Sequence, residues 1–160
     1  MARINWKNCK KKTQGTATVE FAIILPVLLG LLFAIIEFGF LFKDQLTLQQ
    51  AAREGSRAAA VGKPTTEVHA AVDGSLTTLE HSRMTLYMEY RTYSGGWSAW
   101  TTLGDTGSTP NQNNAPQGAQ VRARLTYRHQ LLTGPLFARM IGQPGATEET
   151  LYAQVVMRRE

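Results

Sequence analysis

Cysteine is nearly missing from this chain of 160 residues: the one thiol is Cys9, and nothing after it can form a disulfide. Cys9 also precedes the long apolar run, so it is not placed as a lipid-acceptor cysteine would be, and it reads as a plain thiol. Histidine is scarce. His69, His81 and His129 are far apart, and none stands in a His-x-x-x-His, His-Glu or Cys-x-x-Cys spacing that suits zinc. Neither a Gly-x-Ser-x-Gly elbow nor a phosphate-binding glycine loop occurs. Glu148 and Glu149 are adjacent, so on a helix or strand they diverge as a solvated pair. These gaps point away from an enzyme and from any cofactor or metal site. Two further gaps are local: residues 1–15 hold no acid, and residues 21–36 hold no charge of either sign.

What fills the second gap is apolar. Residues 38–42 extend it after the single charge of Glu37. At about 1.5 Å per helical residue, 21–42 spans about 33 Å, enough for a hydrocarbon core of about 30 Å. Ahead of it, Arg3, Lys7, Lys10, Lys11 and Lys12 carry five positive charges, and from Thr16 onward twelve Lys or Arg balance twelve Asp or Glu. The formal charge of +5 therefore resides in the leader. Basic residues flanking a membrane segment hold that end in the cytoplasm and leave the rest outside; they are not the footprint of a nucleic-acid-binding face.

Three kinds of N-terminus share this layout: a cleaved secretory signal, an uncleaved signal anchor and a prepilin leader. A secretory signal needs small residues soon after a short apolar stretch. Here "EFGFLFKDQ" follows position 36, and the first run of small residues, 58–60, comes some twenty residues later. That geometry excludes it. A prepilin leader is cut before the apolar segment, after a glycine, and Gly15 stands there. The cut would give Thr16 a new α-amino group, with Glu20 its i+4 neighbour on one helix face. A carboxylate at the edge of a bilayer needs a partner or a task.

The stretch "GTATVEFAIILPVLLGLLFAIIEFGFLFKDQLTLQQAAREGSRAAAVG" resembles the TadE-like minor pilins of the tight-adherence (Flp-type) pilus. The likeness rests on "VEF", Pro26, "IEFG" and "QQAAREGSRAAAVG", with "VVMRRE" similar to the close of family members. It implies processing between Gly15 and Thr16 by a prepilin peptidase, and an assembly contact at Glu20 and Phe21 with the amine of a neighbouring subunit. Phe21 stands where major pilins of this system carry tyrosine, which favours a minor subunit. The implied partners are the major pilin, other minor pilins and the inner-membrane assembly platform. The implied location is the bacterial inner membrane, single-pass, with the N-terminus cytoplasmic and the C-terminal part periplasmic or in the extracellular pilus. The reading from another class is an uncleaved, signal-anchored binding or sensor domain.

Within the span, Pro26 is expected to kink the helix or ease its extraction, and Gly30 and Gly39 to permit close helix approach. Glu37 lies about 25 Å beyond Glu20 and is expected near the outer interface, snorkelling or hydrated, with a polar lock between packed subunit helices as the alternative. Nothing breaks the helix before Gly62 and Pro64, so it should run to about Val61. Its second half carries Leu48, Ala51, Ala52, Gly55, Ala58 and Ala59 as a small-residue stripe on which other elements can pack.

The expected division is a leader at 1–15, a membrane helix and stalk at 16–62, and an α+β head at 63–160 with an antiparallel sheet against the stalk. A helix is expected over 65–79, broken near Gly74. Alternation puts Met84, Leu86, Met88 and Tyr90 on one strand face, and a hairpin leads into "WSAWTTL". Residues 104–118, with one apolar side chain, should be a mobile loop. "QVRARLTYRH" and "LYAQVVMRR" read as strands, and "GPLFARMIG" as a short helix around Pro135. Arg122, Arg124 and Arg128 should mark the wet face of the sheet and the aromatics near them should stabilise the hairpin; the functional alternative makes Tyr90, Trp97 and Trp100 an adhesive surface for glycan or protein.

Overall fold

The computed structural model describes residues 11–106, 112–134 and 147–160. The leader as far as position 10, the middle of the expected mobile loop at 107–111 and the expected helix around Pro135 lie outside the described residues. The chain forms two compact units, and the division falls between Phe38 and Gly39.

Helix α1 (Lys11–Ala60) is 50 residues long, about 75 Å at the usual rise. Helix α2 (Thr65–Ser75) follows, then a 3-10 turn (His81–Arg83) and strands β1 (Met84–Arg91), β2 (Thr101–Thr102), β3 (Asp105–Thr106), β4 (Gln112–Asn113), β5 (Gln120–Gln130) and β6 (Glu148–Arg158). The main sheet is antiparallel throughout, in the order β2-β1-β5-β6, with β3 and β4 pairing separately. The fold is thus α+β.

In the unit from Gly39 onward, the second half of α1 and all of α2 cover one face of the sheet. Leu48, Ala51, Ala52, Val72, Leu76, Ala123 and Leu125 are nearly or fully buried together, and a second cluster joins Ala59, Val68, Met88 and Val121. Small side chains on α1 allow this closeness. A Cβ added at Gly55 would stand 2.6 Å from Val72 Cγ2 and 3.2 Å from the Ala123 Cβ. One residue on, fully buried Ser56 uses its hydroxyl twice: Oγ accepts from the Ala123 N–H at 3.0 Å and donates to the Val155 carbonyl at 2.7 Å. It thereby bridges facing residues of β5 and β6.

Helix α1 ends in a glycine turn. Gly62 has φ +84, a left-handed conformation that glycine adopts without strain, and the Gly62 and Lys63 N–H groups donate back to the Ala59 and Ala58 carbonyls. Asn113 completes the end: its Nδ2 donates to the Ala59 and Lys63 carbonyls at 3.0 and 2.9 Å, and Arg159 Nη1 donates to its Oδ1 and backbone oxygen. Asn113 is 2% exposed and Ala115 3%. The described ends of 104–118 are therefore held, contrary to the expectation of a wholly mobile loop. The cause is tertiary: open carbonyls at a helix terminus need donors, and a polar segment supplies them.

Asp105 serves the start of α2 in the same manner. The Thr65 N–H donates to its Oδ1 at 2.8 Å and the Thr65 hydroxyl to Oδ2 at 2.7 Å. These two donors hold the Asp105 carboxyl below the usual aspartate value.

Candidate functional site

Two surfaces stand out, one on each unit. The first is the early part of α1. Its stretch from Gly15 onward is long and apolar enough to cross a membrane, by length and composition. Val19, Phe21, Ile23, Val27, Leu31 and Ile35 are all exposed, as are most of their neighbours round the helix. An all-round apolar cylinder of this length is what a lipid-facing helix requires, and water would reject it. This is compatible with a single-pass membrane protein.

At its start, Gly15, Thr16, Glu20 and Phe21 are exposed on one continuous helix. A Cβ at Gly15 would touch nothing within 4 Å. Glu20 follows Thr16 by four residues, so the two share a face. Pro26 lies inside the helix and is exposed; Gly30 is half-buried; Gly39 has open space where a Cβ would stand. Glu37 departs from expectation. It is 7% exposed and engages in a polar or electrostatic contact, so it is not the hydrated carboxylate that its position suggested. A carboxylate shielded from water has to be compensated within the protein, and spacing along a helix does not reveal that.

Asp44 is buried as well. His129 Nδ1 lies 2.7 Å from Asp44 Oδ2, both side chains being about nine-tenths buried. His69 and His81 are elsewhere, His69 exposed on α2 and His81 3.4 Å from Asp73 Oδ1.

The second surface is the sheet face turned away from the helices. Strand parity puts Tyr87, Glu89 and Arg91 of β1 on it, with Arg122, Arg124 and Arg128 of β5 and Tyr152, Val156 and Arg158 of β6. Tyr152 and Val156 are exposed, so this face is open among the described residues. Arg122 Nε donates to Glu89 Oε2 at 2.7 Å, and Arg91 Nε donates to Gln120 Oε1 at 2.8 Å. The guanidinium carbons of Arg122 and Arg91 lie 3.9 and 4.6 Å from the Trp100 ring centroid, Arg91 also lies 4.6 Å from Trp97, and Arg124 lies 4.7 Å from Tyr87. Tyr93 meets Trp97 edge-on at 5.2 Å.

Trp97 and Trp100 are thus brought together around Arg91. Tyr90 is not: its parity turns it to the helix side, where it packs against the second core cluster. Arg122 is only 15% exposed in its side chain, so the wet-face expectation fits Arg128 better than Arg122. Sequence reading missed Arg91 and Arg158, because only the β1–β5 and β5–β6 register sets both beside Gln120.

Comparison with known proteins bears on the first surface. Residues 15–57 match the family model described as TadE-like protein. This segment is similar to that family, as its motifs suggested. No curated protein and no solved structure matches the chain.

Proposed function

We propose that this protein is a minor pilin or pseudopilin of a tight-adherence (Flp-type) pilus. The observation that carries the reading is the coincidence of the TadE-like match at 15–57 with an exposed apolar helix bearing Glu20 near its start. A prepilin peptidase cuts between Gly15 and Thr16. The new Thr16 amine and the Glu20 carboxylate of neighbouring subunits then neutralise each other at the membrane rim, where an unpaired charge costs on the order of 2 to 3 kcal/mol. Repeated head-to-tail contact of such helices builds a filament instead of a closed ring. Phe21 packs beside Glu20 in that contact, and the folded unit, carried outside the cytoplasmic membrane, supports surface adhesion.

The test is incorporation. A Glu20→Gln variant, expressed at the normal level, should be depleted from sheared pili at least about tenfold relative to the parent protein. Equal incorporation would refute the contact.

A further inference from the structure

The open sheet face carries arginine at positions 91, 122, 124, 128 and 158. Glu89 is the one carboxylate within it, and Arg122 engages that group at 2.7 Å; Glu148 stands at the end, opposite Gln130. Among the described residues, Arg91, Arg124, Arg128 and Arg158 make no ion pair with any carboxylate. A surplus of cations is therefore built into one face of a unit whose remaining charges nearly balance.

Three aromatic rings at this face carry guanidinium groups. Trp100 has guanidinium groups from Arg91 and Arg122 against it, Trp97 has Arg91, and Tyr87 has Arg124. Their effect is on the arginines. Stacking and the inward hydrogen bonds of Arg91 and Arg122 remove side-chain freedom before any ligand arrives, which lowers the entropic cost of binding. The guanidinium fork fits a carboxylate with two parallel hydrogen bonds. Along β5, the unpaired positions 124 and 128 share one face about 13 Å apart, with Arg122, held by Glu89, continuing the line. With Arg91 and Arg158 on the neighbouring strands, these cations are spread over a face that an extended polyanion can follow.

We infer that this face binds an acidic, uronate-bearing polysaccharide, with Arg91, Arg124, Arg128 and Arg158 meeting its carboxylates and the two tryptophans holding Arg91 in place. The inference rests on the reading that the folded unit works outside the membrane in adhesion.

The experiment uses the full chain in detergent micelles over immobilised polygalacturonate, neutral dextran and oligo-dT, at about 50 mM salt. Binding is expected on polygalacturonate, with none on dextran and weaker binding on oligo-dT. Replacing Arg124→Gln together with Arg128→Gln should weaken it by about tenfold or more while the melting temperature is kept. No binding to polygalacturonate, an unchanged affinity in the double variant, or tighter binding to oligo-dT would overturn the inference, the last assigning the face to a phosphate polymer. Piliation of the same strains separates the two claims. Normal pili containing a chain that ignores polygalacturonate would sink this inference alone, and a chain that binds it but is absent from pili would sink the pilin reading alone.

Discussion

Removing the Ser56 hydroxyl is the sharpest probe of how α1 is joined to the sheet. The side chain is fully buried, and it satisfies the Ala123 N–H and the Val155 carbonyl at once. Ser56→Ala leaves the buried Ala123 N–H and the half-buried Val155 carbonyl without this partner. At about 1 to 3 kcal/mol for each group left unmade, the loss should be about 2 to 6 kcal/mol, offset by about 0.5 kcal/mol from the better helix propensity of alanine. Urea unfolding of the full chain in micelles, followed by tryptophan fluorescence, reads the difference. Ser75→Ala is the control, because the Ser75 hydroxyl donates only to the Ala71 carbonyl one turn earlier, and its loss should stay within about 0.5 kcal/mol. If Ser56→Ala also cost less than about 0.5 kcal/mol, the two strands would be closing over the gap, and the bridging argument would be wrong.

Four further substitutions test the packing and capping of the helices. Gly55→Ala should destabilise by about 1 kcal/mol, since overpacking against Val72 and Ala123 outweighs the propensity gain, whereas Gly74→Ala, with open space, should stabilise by up to about 1 kcal/mol; equal signs in thermal unfolding would refute the difference. Asn113→Ala should cost about 2 to 4 kcal/mol by the same unfolding measurement, because it exposes the end of α1 and strips a partner from Arg159. Asp105 has its folded pKa lowered, so its contribution is complete above the ordinary aspartate range and fades as pH falls through the folded value. The stability gap between the parent and Asp105→Asn should therefore narrow between about pH 6 and pH 3, and a gap that widens would contradict the capping role.

Much of this fold was legible because burial on one face leaves a periodic trace. The alternation in β1, β5 and β6 follows from one face meeting the helices, and the small-residue stripe on α1 is where Ala51, Ala52 and Gly55 approach β5 and α2. The apolar run was equally plain, since a membrane span needs length and no charge. What escaped was set by contacts between distant positions. Asn113 looks like loop composition until the end of α1 lies beside it. Tyr90 and Trp97 are close in sequence, yet strand parity sends Tyr90 to the core. Arg91 and Arg158 become part of one basic face only through register.

The central claim is that proteolysis creates the cation that Glu20 meets. Intact-mass measurement and N-terminal sequencing of the membrane-inserted or pilus-borne protein, purified from its native host, test it most directly. The account predicts a chain that begins at Thr16, with the basic residues of the leader gone. A chain that still begins at Met1 would contradict it.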